Sequence, residues 1–323
     1  MTHSKIKETD KKIPVRVLQY NVFLRKPLPY IANLYDGQEA RINGLVETLP
    51  QRSSNVDILI LTEVFHKKSR LLLQNLKQTW PYFTTPFKNY RKLENSGLVV
   101  MSKTPIVAKD YIIFESSGNW DKLASKGVQY MNVVIRKVPV HIFATHLQAT
   151  YNKDYSKYNG IRESQLEEIN RFVAAKKIQK NELVVLGGDF NIDIKSQEYK
   201  NLKKILDIVP FTKISTKKSV SSRNQLHGID YEAAQNGCEK EYKETHVCKC
   251  CPNEMLDYNF VLGGFLKPKK VELDVWNNFK SSSKLCGLFF ERLHKKNGDN
   301  CPKNHVELTD LSDHYPVVTS IYL

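Results

Sequence analysis

Ser312-Asp313-His314-Tyr315-Pro316-Val317-Val318-Thr319-Ser320-Ile321 sets a carboxylate and an imidazole side by side, directly before an apolar run. The run reads as a buried strand and the polar pair as its mouth. Four more polar clusters stand in the same situation: Gln19-Tyr20-Asn21, Leu61-Thr62-Glu63, Ala144-Thr145-His146-Leu147 and Gly187-Gly188-Asp189-Phe190-Asn191. Strand ends that offer Asn, Glu, His, Asp with Asn, and Asp with His point to one metal-dependent hydrolytic site rather than to separate accidents.

Working outward, strand-like runs rich in Val and Ile recur at 15–23, 56–65, 97–102, 128–136, 140–147, 182–191, 256–263 and 315–323. Most are apolar on both faces, as strands covered on both sides must be. Helical spacing appears between them, with Ile42, Leu45 and Leu49 on one stripe, then Leu72 and Leu76, then Leu166, Ile169 and Val173, then Leu202 and Leu206. Strands alternating with helices predict an α/β class. A polar tail, 1–14, precedes one expected catalytic domain, 15–323. Two stretches, 213–253 and 277–303, read as surface elaborations of it, being polar, charged or Cys-bearing.

The chain has 323 residues, 41% of them hydrophobic, enough for a sizeable core. Lys and Arg outnumber Asp and Glu by 49 to 34, a net charge of +15 that favours an anionic partner, nucleic acid or membrane surface. No apolar run approaches the roughly 18 residues of a membrane span. The stretch 15–23 contains Asn21 and is too short and polar for a signal h-region, so an exported form needs a signal peptide that this sequence does not show. The cysteines, Cys238, Cys248, Cys250, Cys251, Cys286 and Cys301, crowd into the last third. Disulfides are the favoured reading, with zinc and free thiols as rivals; the spacing around His246 to Cys251 does not suit zinc.

Glu63 ends a run that should be buried, where a carboxylate is costly unless paired or bound to a cation. Mg²⁺ favours one or two carboxylates with waters and phosphate oxygens. Glu63 therefore reads as its main ligand with Asn21 lending a neutral oxygen; the bland alternative is a surface Glu capping a helix near Lys67. Asp189 and Asn191, two apart, share a face of an extended segment. One can accept from a nucleophilic water while the other steadies phosphoryl oxygens, or the pair forms an Asx turn closing the strand. His314 is the candidate general base, near its reference pKa. It needs a carboxylate to fix its tautomer, which Asp257 could supply from a neighbouring strand. Asp313 is a further candidate metal ligand, and His146 a donor to phosphate.

These residues, in this order, resemble the endonuclease/exonuclease/phosphatase superfamily, through Glu63, Gly188-Asp189-Phe190-Asn191 and Ser312-Asp313-His314. Within it the chain is most similar to bacterial-type neutral sphingomyelinases C, in Gln19-Tyr20-Asn21-Val22-Phe23, Glu63-Val64-Phe65, Ser125-Lys126-Gly127, Thr145-His146-Leu147-Gln148-Ala149, Leu256-Asp257-Tyr258 and Ser312 to Pro316. The resemblance implies a DNase I-like, four-layered α/β sandwich of two packed mixed sheets flanked by helices. It also implies Mg²⁺, with Mn²⁺ or Co²⁺ as substitutes, held by Glu63 with Asn21 close by. Sphingomyelin or another choline phospholipid would be the substrate. His314 would activate water, Asp257 orient it, and His146, Asp189 and Asn191 bind the phosphate. Leu288-Phe289-Phe290 sits where the family's membrane-entering hairpin is expected; a buried core strand is the alternative. A secreted monomer is expected. A nuclease on the same scaffold is the first rival, though nucleic acid is the weaker partner reading, and a silent membrane-binding relative the second. The Cys-rich stretch and the long spacer before Asp313 depart from the family pattern.

Overall fold

The computed structural model describes residues 13–25, 37–151, 155–220, 226, 253–288 and 305–323. In chain order the elements are β1 (Val15–Leu24), α1 (Gln38–Arg52), β2 (Ile58–Val64), α2 (Ser69–Leu76), β3 (Tyr82–Phe83), β4 (Val99–Ser102) and β5 (Ile106–Ile113). Then follow β6 (Gly127–Ile135), β7 (Val138–His146), α3 (Tyr155–Ala175), β8 (Leu183–Asp189), α4 (Gln197–Leu206), β9 (Ile208–Val209) and β10 (Lys213–Ile214). The last are β11 (Asp257–Leu262), β12 (Lys270–Val275), β13 (Lys280–Leu288), β14 (His305–Asp310) and β15 (Val317–Tyr322).

Two mixed sheets stack face to face. One runs β10-β12-β15-β1-β2-β4-β3, the other β5-β6-β7-β8-β11-β9. Val15, Val17, Ile58, Ile60, Val100 and Ile321 of the first pack against Met131, Val140, Ile142, Leu183, Val185 and Val261 of the second. The outer face of the first, with Leu18, Leu59 and Val99, is covered by Ile42, Leu45 and Leu49 of α1 and Leu72 and Leu76 of α2. The outer face of the second, with Val184, Leu186 and Phe260, is covered by Leu166 and Ile169 of α3 and Leu202 and Leu206 of α4. This is the expected helix–sheet–sheet–helix order. It explains why β1, β2 and β8 are apolar on both faces: each side has a layer to bury against. No described helix is long and apolar enough to cross a membrane.

Each sheet contains a parallel pair joined through a helix, β1 with β2 and β7 with β8. Both pairs direct their C-terminal ends to one edge of the sandwich. Antiparallel β11 and β15 bring their N-terminal ends to the same edge, because Asp257 pairs with Asp189 and Val317 with Gln19. Every polar cluster read from the sequence lies on that edge.

The glycines of β8 let neighbouring strands approach closely. A Cβ on Gly187 would crowd Asn259 Oδ1 of its cross-strand partner in the same sheet, and would meet Ile60 Cδ1 at 2.6 Å across the sheet interface. One on Gly188 would meet the Thr145 carbonyl oxygen at 1.9 Å. The second stretch, 277–303, holds strand β13, which pairs antiparallel with β14 just beyond it, and Leu285 and Leu308 of the two join the core over α1. Phe289, Phe290 and every cysteine but Cys286 lie outside the described residues, as does most of 213–253.

Candidate active site

The period of two along a strand decides which side chains meet. On β1, Val15 and Val17 face the sheet interface, so Gln19 and Asn21 continue that face to the edge. On β8 the face of Leu183 and Val185 continues to Asp189; on β7 that of Val140, Ile142 and Ala144 continues to His146. On β11, Asp257 and Asn259 share the face of Val261. Glu63 is out of phase with Ile58 and Ile60, yet it joins the group. Its φ is +61°, a left-handed conformation unusual for a residue other than glycine, and it lies where the β1–β2 register shifts.

Asn21 Nδ2 donates to Glu63 Oε1 at 2.9 Å and to Asp189 Oδ2 at 3.0 Å. As placed, its amide oxygen accepts from Phe23 N–H at 3.0 Å, so Asn21 joins the carboxylates through its NH₂ and not through the oxygen the sequence reading assigned it. His314 Nδ1 lies 2.6 Å from Asp257 Oδ2, and Gln19 Nε2 donates to Asp257 Oδ1 at 2.7 Å. His314 Nε2 then faces Asp189 Oδ2 at 3.9 Å, with His146 Nε2 at 3.7 Å from the same oxygen. Asn191 closes the strand end in an Asx-type turn: its N–H donates to Asp189 Oδ1 at 2.9 Å, at φ +52°. Its Nδ2 donates to the Leu147 carbonyl at 3.1 Å. Of the two readings posed for this pair, the Asx turn is the one the backbone adopts. Ser312 Oγ donates to the Asn21 carbonyl at 2.6 Å and to Asp313 Oδ1 at 3.2 Å, tying the 312–314 segment to β1.

Burial makes this an unusual electrostatic site. Asp189 is pushed up to about 7, by burial first and by the charge of Asp257 second. Burial acts to lower His314, but the charges of Asp257, Asp313 and Asp189 prevail and raise it well above its ordinary value. His146 is driven well below it, by burial and then by Lys126 and His314. One imidazole is therefore held toward the cation and the other neutral. Asp189, Asp257 and His314 present ligand atoms within 4.8 Å of one another. The short Asp257–His314 bond marks those two as a dyad. Glu63 and Asp189, both bonded by the Asn21 NH₂, bring two carboxylates together, and that is donor chemistry a hard divalent cation fits. Asp313 is buried beside Ser312, and its charge acts on His314 and Tyr20.

Several residues at the site carried no role in the sequence reading. Gln19 fixes Asp257 and could have been found by stepping two residues back from Asn21. Lys126, inside Ser125-Lys126-Gly127, is buried and reaches both Asp121 and the Leu147 carbonyl at 2.8 Å. Asp121 gave no local signal. Gln148, from the string that carried the family resemblance, is structural: its Oε1 accepts from Gly118 N–H at 2.7 Å and its N–H donates to Gln165 at 3.0 Å.

The sequence profile described as the Endonuclease/Exonuclease/phosphatase family matches residues 18–231. A sphingomyelinase C of Listeria ivanovii is 30% identical over 94% of this chain and 85% of its own length. A Leptospira interrogans sphingomyelinase C 2 is 28% identical over 98% of this chain, which spans 47% of that longer protein. Among solved structures, SmcL superposes with a TM-score of 0.75 at 26% identity, covering 95% of this chain and 99% of its own. A Staphylococcus aureus beta toxin solved with bound magnesium ions gives 0.78 at 23% identity with the same coverage, and so shares the fold. The layers, the polar edge and these likenesses agree: this is an enzyme of phosphodiesterase type, and the chain belongs to the endonuclease/exonuclease/phosphatase family, on the branch that holds the sphingomyelinases C.

Proposed function

We propose that this enzyme hydrolyses sphingomyelin to ceramide and phosphocholine, at membrane surfaces and with Mg²⁺ or, in its place, Mn²⁺ or Co²⁺. The observation that carries the reading is the Asp257–His314 pair at 2.6 Å, aimed at Asp189 within one buried edge that also holds Glu63 and His146. Glu63 would be the main metal ligand, with Asn21 beside it. A divalent cation bound there supplies charge stabilisation to the phosphoryl and leaving oxygens and offsets the carboxylates that hold His314 protonated. His314 Nε2 takes a proton from water as the water oxygen bonds to phosphorus. Asp257 holds the opposite ring nitrogen and so fixes the tautomer. The bond from phosphorus to the ceramide oxygen breaks in line, that oxygen takes a proton from solvent, and His314 returns its own proton to solvent. His146, kept neutral, donates to a phosphoryl oxygen, with Asn191 alongside. Asp313 would be a further metal ligand, and its charge also acts on His314. These parts work by positioning and electrostatics more than by covalent chemistry.

Leu288 at the end of β13, with Phe289 and Phe290 next to it in sequence, would enter the bilayer. The enzyme would act as an exported monomer, with the clustered cysteines in disulfides. The test is release of phosphocholine from sphingomyelin vesicles, with EDTA and with Mg²⁺ restored. Chelator-resistant release would overturn the metal scheme. The net charge of +15 favours a second reading, a nuclease. Plasmid DNA assayed in parallel separates the two: cleavage of DNA without phosphocholine release would replace the lipid reading.

A further inference from the structure

Two loops outside the catalytic set carry exposed apolar side chains that the fold does not use. Tyr90 is 84% exposed and Leu93 65%; on the facing loop Trp120 is 50% and Leu123 36% exposed. Side chains of this size are seldom left in water together without a partner surface. The loops are zipped to each other. Glu94 N–H donates to the Leu123 carbonyl at 2.9 Å, Asn89 N–H to Ser125 Oγ at 3.0 Å, and Lys92 Nζ to the Lys122 carbonyl at 2.7 Å. Arg91 Nε donates to Tyr90 Oη at 3.0 Å, which braces the most exposed ring. The platform is basic. Lys88, Arg91, Lys92 and Lys122 flank the apolar side chains, whereas Asp121 is buried against Lys126.

The platform is also fastened to the catalytic edge. The turn Asn119–Leu123 carries Trp120 next to Asp121, whose carboxylate accepts from Ala149 N–H at 2.8 Å and Tyr151 Oη at 2.7 Å. Those residues lie in the segment Gln148-Ala149-Thr150-Tyr151 that follows His146 and Leu147. A surface that holds Trp120 is therefore held beside the strand end that binds the phosphate.

We propose that Tyr90, Leu93, Trp120 and Leu123, ringed by Lys88, Arg91, Lys92 and Lys122, form a second membrane-docking surface for bilayers that contain anionic phospholipid. The proposal rests on the reading that the enzyme acts at membranes, and it concerns residues other than Leu288, Phe289 and Phe290. Aromatic rings suit the interface between headgroups and acyl chains, and clustered Lys and Arg suit an anionic leaflet. Nucleic acid would match the cations, but the exposed leucines have no counterpart in a phosphate backbone.

The experiment is vesicle cosedimentation in EDTA, so that turnover does not consume the target. Vesicles of phosphatidylcholine and sphingomyelin are used with and without phosphatidylserine. Wild-type protein should bind the phosphatidylserine vesicles about tenfold tighter or more, a preference that Arg91→Glu with Lys122→Glu removes. Trp120→Ala with Leu93→Ala should weaken binding to both. Tryptophan emission should shift to the blue on binding, and most of that shift should be lost in Trp120→Phe, since Trp80 is fully buried and Trp276 is half-buried and stacked on Phe279. Melting temperatures equal to wild type exclude misfolding. Wild-type affinity in both double variants would overturn the proposal. So would plasmid binding that these variants lose while vesicle binding stays. Phosphocholine release by the wild type is scored separately, so failure of the substrate reading shows as absent turnover with docking intact.

Discussion

His314 is the residue on which the chemistry turns, and its neighbours set its behaviour. Its Nδ1 is committed to Asp257, leaving Nε2 to act on water. His314→Ala should lower kcat by about 10²–10⁴-fold while leaving the melting curve unchanged; near-normal turnover would remove it as the base. The raised pKa gives a second expectation with a definite sign. His314 must shed its proton to act, so the acid limb of kcat/KM marks its pKa in the working enzyme. Asp257 is the largest influence raising that pKa. Asp257→Asn should therefore move the limb to lower pH, besides slowing the enzyme, and a pH–rate profile reads both. A limb that stays in place would show that Asp257 does not hold His314. The sequence named this pair because a base needs an orienting carboxylate. It gave no sign of Gln19 bound to that carboxylate, nor of Asn21 turned to present its NH₂, since both are matters of side-chain rotation across the sheet interface.

At the scale of elements, the site depends on how closely strands come together. β8 passes the end of β7 with no room for a Cβ on Gly188, whose nearest obstacle is backbone and cannot swing away. Gly188→Ala should cost about 3 kcal/mol or more, measured by urea unfolding. A loss under 1 kcal/mol, which ~ordinary surface changes cause, would contradict the packing. Arg41 of α1 is another such joint. Its buried guanidinium donates to the carbonyls of Val22 at 3.1 Å, Phe23 at 2.6 Å and Leu311 at 3.0 Å, clamping the end of β1 to the segment that leads into Ser312. Arg41→Met strands those carbonyls and should destabilise by about 3 kcal/mol. It should also weaken cation binding, which calorimetry on the folded variant would detect. The strands β1, β2, β4, β6, β7, β8, β11 and β15 and the four described α-helices were legible as double-faced apolar runs and helical stripes, whereas β13, with Lys and Ser through its middle, was not. β5 was not, because its middle is exposed at the sheet edge and reads as polar loop. β12 has Val271, Leu273 and Val275 buried on alternate positions, but it is too short beside polar neighbours to stand out.

For the whole molecule, the crowded carboxylates imply that the cation is part of folding energetics as well as of catalysis. Asp189 pushed up to about 7 means that its ionised form is disfavoured in the fold without a cation. A ligand at a hundred times its Kd adds about 2.7 kcal/mol of stability. Mg²⁺ should thus raise the melting temperature by about 5 °C for a chain of this size, and EDTA should reverse it. Glu63→Gln should abolish the shift; a Glu63→Gln protein that still gains stability from Mg²⁺ would place the ion elsewhere. The net charge of +15 pointed to an anionic partner without saying where it binds. The basic, aromatic loop pair supplies one place, and its residues lie about thirty positions apart in the chain.

The sequence alone determined the α/β class, the layered core and the identity of the polar groups at the strand ends. Those follow from local periodicity, since a strand apolar on both faces must be covered twice and a carboxylate at its end needs a reason. Only the tertiary structure decided that the ends converge. Two parallel pairs and two antiparallel strands must be assembled before Asn21, Glu63, His146, Asp189, Asp257 and His314 share one edge. It alone decided the finer assignments too: glycines that admit neighbouring strands, a glutamate turned inward by a left-handed backbone, and two histidines driven to different protonation states. Each depends on what residues far away in the chain bring to the same few ångströms, and no local pattern records that.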